Sequence, residues 1–265
     1  MYFEDLKVLK ERRKIWNFGK LVPLTFLLLI FRAALLASKG YVTLALAFFG
    51  VDDLPPIYTT DGMDLEYFEE AVDYVLGLPE VQPKRLGLFG LSMGGNISLL
   101  MSSNFGHKIH ACAVVSSPGL SAPGPTRYRG REVTEATNFE ENYILRFHGG
   151  VEEAMRHSRR HIPVHQTNVP ILAVVGEEDT SVFEMFSFLV TRWRQLGKSD
   201  ITFHSFPGAG HLIDPPFSPH FRRSGHPYLA PGVKVDYGGH LQPHALAQFS
   251  AWEMLLKFYR EKLSK

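Results

Sequence analysis

The stretch Arg85–Asn96 (Arg-Leu-Gly-Leu-Phe-Gly-Leu-Ser-Met-Gly-Gly-Asn) constrains the fold more than any other part of the chain. An apolar run ends at Gly90-x-Ser92-x-Gly94, and a helix-like pattern follows at once. This order predicts a nucleophile elbow, in which a buried strand turns sharply into a helix and presents a serine. The glycines would let strand and helix approach closely while Ser92 is held in a strained conformation. A plain glycine-rich turn between a strand and a helix has the same pattern, so the rest of the chain has to distinguish it from a nucleophile elbow.

The length and composition of the chain exclude several classes of protein and of partner. The 265 residues suit one large α/β domain or two small ones, and a hydrophobic content of 45% is enough for a substantial core. A formal net charge of +1 gives no reason to expect a nucleic-acid partner. The single cysteine, Cys112, excludes an internal disulfide framework and fits a reducing compartment. Since it lies in an apolar run, we expect it to be a buried core residue.

The first part of the chain is harder to classify than the rest. Residues 1–20 form a polar leader rich in Lys and Arg, and Leu21–Phe31 is an apolar run closed by Arg32. That run is much shorter than the ~20 residues that span a bilayer, so we expect no stable membrane span. We predict instead a buried strand running into a helix, then a second strand at Tyr41–Phe49. The expected division is a leader at 1–20 and one domain at 21–265.

Short apolar runs then alternate with helix-like patterns, which is typical of a mostly parallel sheet with helices on both faces. The predicted strands are the run that ends at Ser92, then Ile109–Val115, Val169–Val175 and Ile201–Phe206. The predicted helices are Met63–Leu78, the elbow helix, Val151–Arg160, Ser181–Leu196 and His240–Leu263. Two stretches rich in Pro and Gly, residues 116–143 and 215–237, interrupt this pattern and predict long surface loops.

The elbow has partners in the order that an α/β-hydrolase requires, which is Ser, then an acid, then His. A predicted strand is followed by Gly-Glu-Glu-Asp179, and the next one by Pro-Gly-Ala-Gly-His211. In a triad, His211 would take the proton of Ser92, and Asp179 would orient the imidazole and stabilise its charged form. Glu177 and Glu178 are alternatives for the acid. We prefer Asp179, because such folds usually hold the acid at the third position after the turn glycine.

The histidines outside this triad do not predict a metal site. Three of them are spaced four residues apart, at His157, His161 and His165. Pro163 interrupts the helix that would align them, and no carboxylate or cysteine completes a ligand set, so we expect no metal. Near the last predicted helix, His240 and His244 either border the pocket or begin the helix.

Several segments beyond the elbow carry a more specific pattern: Leu65–Val72, Gly87–Gly95, Gly176–Asp179, Gly210–Pro216, Phe31–Gly40, Thr126–Gly130, and His244–Gln248 with Trp252. Together they resemble the catalytic domain of the type I acyl-CoA thioesterases, a family that includes the bile acid-CoA:amino acid N-acyltransferases. The resemblance covers the chain from about Phe31 to its end. It implies an α/β-hydrolase fold, Ser92, Asp179 and His211 as the triad, and a fatty acyl-CoA substrate. No cofactor is implied other than the CoA of the substrate.

Two departures from the family pattern concern the N-terminal part. Family members carry a β-sandwich domain before the hydrolase domain, and the first strands of the usual sheet are not evident here, so we expect a fold truncated at its N-terminal strands. Leu24–Ile30 also replaces a glycine-rich loop that supplies one N–H of the oxyanion hole, while Met93 would supply the other. Loss of one such donor costs on the order of a hundred- to a thousandfold in rate.

The resemblance leaves three functions open. The first is hydrolysis of fatty acyl-CoA to free fatty acid and CoA, which Ser92 favours. The second is transfer of the acyl group to glycine or taurine, although the bile-acid branch generally uses a cysteine nucleophile. The third is a truncated, catalytically weak hydrolase-like protein. For localisation the expectation is the cytoplasm, with the peroxisome as the alternative, because the last four residues Lys-Leu-Ser-Lys are close to, but are not, a Ser-Lys-Leu signal.

Overall fold

A computed structural model describes residues 24–47, 63–120, 124–134, 150–157, 161–180, 182–225 and 234–264. The chain divides into two units, residues 1–59 and 60–265. In the first unit, helix α1 spans Leu24–Ala37 and ends in a turn at Gly40, whose φ of +90° favours glycine. Residues 41–47 follow without regular secondary structure.

Two strand predictions are wrong in this first unit. The run Leu21–Phe31 is helical from Leu24 onward, and its first three residues lie outside the described part. Leucine and alanine dominate α1, and both have high helix propensity, so an apolar run alone did not identify a strand. Tyr41–Phe49 forms no strand over residues 41–47, and its last two residues are not described. An apolar run becomes a strand only where a neighbouring strand completes the ladder.

The second unit contains the remaining elements. Its helices are α2 (Glu66–Gly77), α3 (Met93–Phe105), α4 (Gly150–His157), α5 (Phe183–Gln195) and α6 (Leu241–Leu263). Its strands are β1 (Met63–Asp64), β2 (Gly87–Leu91), β3 (Ala111–Val115), β4 (Thr126–Tyr128), β5 (Arg131–Thr134), β6 (Ile171–Gly176), β7 (Ile201–Phe206), β8 (Arg223–Gly225) and β9 (Lys234–Asp236).

Strands β2, β3, β6 and β7 form one four-stranded sheet in that order, and all three pairings are parallel. The register aligns Leu91 with Val115 and Gly176 with Phe206 at the carboxyl edge. β3 and β6 are buried along their whole length. The predicted mostly parallel sheet and its four predicted strands are confirmed. They could be predicted because each strand is a short β-rich run and a helix precedes the next one.

Helices cover both faces of this sheet. On one face, the Phe186 ring of α5 lies 6.0 Å from the Phe203 ring of β7, at a T-shaped angle. On the other, Trp252 and Leu255 of α6 line a small apolar cavity together with Val174 of β6. Phe203 is aligned with Ala173 in the ladder, and Val174 is the next residue along β6, so its side chain points to the opposite face from Phe203 and α5. The core therefore lies in two layers, one on each side of the sheet.

Helix α6 also reaches the elbow strand. The Tyr259 hydroxyl donates a hydrogen bond of 2.6 Å to the Leu88 carbonyl of β2. Gly87 leaves room for this approach, because a Cβ there would lie 3.0 Å from the Leu263 side chain and 3.1 Å from the Tyr259 ring. The last two turns of α6 are thereby bonded to the strand that leads to Ser92.

Both predicted loops contain strands that the sequence analysis did not predict. In the loop at 215–237, β8 and β9 pair antiparallel. Within the expected surface excursion at 116–143, β4 and β5 pair as an antiparallel hairpin, and Thr126 is buried. The two residues of its turn, Arg129 and Gly130, have φ of 51° and 72°. Two central residues with positive φ are typical of a tight hairpin turn, and Arg-Gly is a weaker signal for it than Asn-Gly.

The close approach of β2 and α3 depends on one glycine. A Cβ on Gly90 would lie 2.2 Å from the Gly94 carbonyl oxygen and 2.5 Å from the Gly95 nitrogen, whereas a Cβ on Gly94 would meet nothing within 4 Å. The sequence analysis assigned the close approach to both glycines, and the structure assigns it to Gly90 alone of these two.

We therefore expect Gly90→Ala to lower the free energy of unfolding by about 3 kcal/mol, because backbone atoms on both sides would have to move. Gly94→Ala is the matched control and should be neutral or stabilising by up to ~1 kcal/mol, since Gly94 lies in the first turn of α3. Urea unfolding followed by circular dichroism measures both. Equal midpoints for the two variants would contradict this account of the elbow.

Candidate active site

Ser92 lies in the sharp turn between β2 and α3. Its φ of 54° and ψ of −118° are rare for a residue with a side chain, and such strain costs on the order of 1–3 kcal/mol. The turn is fixed from both sides: the Ser92 N–H donates to the Val115 carbonyl at 2.8 Å, and the Asn96 N–H donates to the Ser92 carbonyl at 3.2 Å. Ser92 is half-buried, so its hydroxyl is placed at the start of a helix without being enclosed.

Asp179 and His211 form a buried hydrogen-bonded pair. Asp179 follows β6 and His211 follows β7, and the His211 Nδ1 lies 2.7 Å from the Asp179 Oδ2. The side chains are 5% and 0% exposed for His211 and Asp179, respectively. The other carboxylate oxygen, Oδ1, accepts a hydrogen bond of 3.1 Å from the Val182 N–H. When Nδ1–H donates to the carboxylate, the Nε2 of a neutral His211 ring carries the lone pair that a general base needs.

The neighbouring acids are in different environments. Glu177 and Glu178 are exposed, and Glu177 accepts a hydrogen bond of 2.7 Å from the Ser205 hydroxyl. The Glu178 N–H donates to the Ala209 carbonyl, which ties this loop to the one that carries His211. Of the three acids considered from the sequence, Asp179 is therefore the one whose carboxylate contacts His211.

The backbone of His211 is also fixed. Its N–H donates to the Tyr237 carbonyl at 2.8 Å, and its ring stacks on the Tyr237 ring with centroids 5.3 Å apart and an interplanar angle of 16°. A Cβ on Gly210 would lie 2.4 Å from the carbonyl oxygens of Tyr237 and Gly238, so this approach requires glycine. Tyr237 thus supports the imidazole from one side, and sequence reasoning had no signal for it.

The parallel sheet brings the three predicted triad residues to one edge. Ser92, Asp179 and His211 each follow the carboxyl end of a strand, and β3 separates the strand of Ser92 from that of Asp179. Within the described residues, no hydrogen bond joins the Ser92 hydroxyl to the His211 ring. Catalytic hydrogen bonds of this kind are often long without substrate and tighten in the complex. The structure thus joins Asp179 to His211 and places Ser92 at the same edge.

The two segments considered for the oxyanion hole lie in different units. Met93 begins α3 directly after Ser92, where the positive end of a helix dipole favours a developing negative charge. Leu24–Ile30, which stands in place of a glycine-rich loop, is part of α1 in the first unit.

Cys112 and His161, which the sequence offered as candidates for a chemical or metal-binding role, are buried and half-buried, respectively. Cys112 is fully buried in β3, and burial raises the pKa of its thiol to about 12, so it carries no thiolate near neutral pH. His161 is paired with Leu120 in a β-bridge, and burial lowers its pKa. In the described part of the chain, no group of three or more His, Cys, Asp or Glu side chains could hold a metal ion. No helix there is both long and apolar enough to cross a membrane.

His244 was expected to border the pocket or to begin the last helix, and the second alternative is wrong. It lies one turn inside α6 and is 1% exposed, and its ring nitrogens contact the backbone of Gly210 and Leu212. His240 is the residue that precedes the helix, and it is exposed. The signal in the sequence that could have identified His244 is its position on the buried stripe with Ala247 and Ala251, since a polar residue there requires a partner.

Comparison with known proteins identifies the family of this chain. The model of the BAAT / acyl-CoA thioester hydrolase C terminal family matches residues 63–265. The chain is 34% identical over 245 residues to the bile acid-CoA:amino acid N-acyltransferase of Mus musculus, which covers 89% of this chain and 57% of that protein. The same identity and coverage hold for acyl-coenzyme A thioesterase 1 of Rattus norvegicus. The human acyl-coenzyme A thioesterase 1 is 33% identical over 247 residues, with 89% and 57% covered.

The chain thus spans little more than half the length of these relatives. Its family match includes the whole parallel sheet, the elbow and the loops that carry Asp179 and His211. The strand–turn–helix at Ser92 and the parallel sheet covered on both faces identify the fold as an α/β-hydrolase. The chain belongs to the BAAT / acyl-CoA thioester hydrolase C terminal family.

Proposed function

We propose that this chain hydrolyses fatty acyl-CoA thioesters to free fatty acid and CoA, with Ser92 as nucleophile, His211 as general base and Asp179 as the residue that orients it. The observation that carries the proposal is the buried 2.7 Å hydrogen bond between Asp179 and His211 at the sheet edge where the strained Ser92 also lies. Relatives named acyl-coenzyme A thioesterase supply the substrate class.

The chemistry follows from these groups. Ser92 Oγ attacks the thioester carbonyl as His211 Nε2 takes its proton, and the negative charge on the carbonyl oxygen develops next to the N-terminus of α3. The intermediate collapses, the C–S bond breaks, and the CoA thiol leaves with the proton from His211. Water then attacks the acyl-serine with His211 as base, releasing the carboxylic acid and restoring Ser92. No cofactor is needed apart from the CoA of the substrate.

A second candidate is transfer of the acyl group to an amino acid, which the name of the Mus musculus N-acyltransferase suggests. A cysteine nucleophile is not available for it, because Cys112 is enclosed in β3 with its pKa raised to about 12. Transfer would therefore have to pass through an acyl-serine ester. Such an ester is less reactive toward amines than a thioester, so we propose water as the main acceptor.

Replacement of the nucleophile is the first test. Ser92→Ala should reduce acyl-CoA hydrolysis by at least a thousandfold, because it removes the hydroxyl that forms the acyl intermediate in this mechanism. Ser103→Ala is the matched control: Ser103 lies on the same helix, and its hydroxyl donates only to the Leu99 carbonyl. Release of CoA thiol, followed with a thiol reagent, measures both. Hydrolysis by Ser92→Ala at the wild-type rate would remove Ser92 from the mechanism.

The acid is tested separately. Asp179→Asn should keep the fold but reduce kcat on the order of ten-thousandfold, because an amide in place of the carboxylate favours the wrong tautomer of His211. Glu177→Gln and Glu178→Gln should stay close to wild type, since both side chains are exposed. A larger loss in either glutamate variant than in Asp179→Asn would contradict the assignment.

The products distinguish the two candidate reactions. With medium- and long-chain acyl-CoAs, we expect free acid as the main product whether or not glycine or taurine is added, because Ser92 yields an ester intermediate that water can reach. Mass spectrometry of the reaction mixture measures the ratio of free acid to acyl-amino acid. Acyl-glycine or acyl-taurine as the main product would favour the transferase, and no turnover of any acyl-CoA would exclude both.

A further inference from the structure

The first turn of α6 is docked against the loop that carries His211. The His240 N–H donates to the Gly208 carbonyl at 2.8 Å. Pro243 packs onto the same glycine, where a Cβ would lie 2.8 Å from the proline ring. This contact is local to the 207–212 segment, whereas in the following turns of α6 Ala251 and Leu255 line a cavity together with residues of the sheet.

His244 makes the most specific of these contacts. The Gly210 N–H donates to its Nδ1 at 3.1 Å, and its Nε2 lies 2.8 Å from the Leu212 carbonyl oxygen. These two partners are the residues directly before and after His211. One buried imidazole therefore bonds the backbone on both sides of the proposed general base, and the side chain of His211 is left to contact Asp179.

The partners of His244 determine its protonation state. A backbone N–H cannot accept, so Nδ1 must carry the lone pair, and a carbonyl cannot donate, so Nε2 must carry the proton. Only the neutral Nε2–H form of the ring makes both bonds. Burial lowers the pKa of His244, and the nearby His220 ring, 4.4 Å away, acts in the same direction, whereas the Leu212 bond and Asp214 oppose it.

We propose that His244 is a positioning residue for the active site: it holds the backbone on both sides of His211 so that the imidazole stays on Asp179 with Nε2 directed toward the reacting atoms. We call the two bonds from His244 to Gly210 and Leu212 the clamp. The catalytic half of this inference rests on the proposed hydrolase function, whereas the clamp itself does not. Packing alone does not account for the contact, because an apolar side chain of the same volume would leave the buried Gly210 N–H without its acceptor. The Leu212 carbonyl would keep only the hydrogen bond from the Asp214 N–H, at 2.8 Å.

Two substitutions separate the halves of the clamp. The amide of His244→Asn places an acceptor near the Nδ1 position, and that of His244→Gln places a donor near the Nε2 position, so each can keep one bond. His244→Ala keeps neither. His240→Gln is the matched control, because His240 lies one turn earlier on the exposed side and makes no side-chain cap.

We expect kcat per folded molecule to fall on the order of a hundredfold in His244→Ala and by less in His244→Asn and His244→Gln, with KM little changed. Labelling of Ser92 by a fluorophosphonate should slow in the same order, and this readout needs no choice of acyl-CoA. His240→Gln should match wild type in both assays. Wild-type kcat and labelling rates in all three His244 variants would overturn the catalytic half of the proposal.

Hydrogen exchange tests the clamp without any activity. Amides of the 207–214 segment should exchange at least tenfold faster in the His244 variants, while those of β6 stay unchanged. If wild type itself shows no Ser92-dependent turnover or labelling, the hydrolase proposal fails, and the exchange data still decide whether His244 holds this loop. Unchanged exchange at 207–214 would overturn the clamp, even if the variants lost activity through general destabilisation.

The pH dependence of stability is a further test. Because the pKa of His244 is lower in the folded than in the unfolded chain, the unfolded state binds the proton first as the pH falls below about 6.5. The stability that neutral His244 contributes is thus fully present above that pH and is lost on acidification. The difference in urea midpoint between wild type and His244→Asn should narrow from about pH 7.5 to about pH 5. If the difference in midpoint stayed constant, His244 would take up its proton without losing the hydrogen bond from the Gly210 N–H, which contradicts the clamp.

Discussion

Four parallel strands in consecutive order place every loop that follows a strand at one edge of the sheet, and the functional geometry of this chain depends on that constraint. Parallel pairing from β2 to β7 aligns the carboxyl ends of strands that are far apart in the sequence. Ser92, Asp179 and His211 need no long-range contacts of their own to arrive at this edge. The backbone ladder brings them there, and short loop contacts then adjust each side chain.

These loop contacts are mostly backbone hydrogen bonds. Val115 fixes Ser92, Ala209 fixes the loop of Asp179, and Tyr237 fixes His211. Glycines allow the chain segments to approach closely enough for these bonds. Gly238 has the tightest contact, because a Cβ there would lie 1.7 Å from the Glu178 carbonyl oxygen. Buried polar side chains add to them in the pair of Asp179 and His211 and in the two bonds that His244 makes to Gly210 and Leu212.

The sequence was most informative where the determinants are local. The spacing of Gly90 and Ser92 encodes a strand–turn–helix within a few residues, and the order of strands and helices encodes a parallel sheet. It was misleading for Leu24–Phe31, because an apolar run is compatible with a strand or a helix, and it missed the Arg129–Gly130 hairpin, which has a weak turn signal. The contacts of His244 were beyond it, since they join residues more than thirty positions apart.

Helix α6 makes a second connection between two segments that the sheet already joins, the elbow strand and the loop after β7. Its 23 residues correspond to a rod of about 34 Å. At one end His244 bonds the loop of the proposed base, and near the other the Tyr259 hydroxyl bonds the strand that leads to the proposed nucleophile. One continuous helix thus contacts both segments and supports the separation that the sheet gives them. The carboxyl-terminal turns of α6 contain none of the three proposed triad residues, yet through Tyr259 they hold the strand that leads to Ser92.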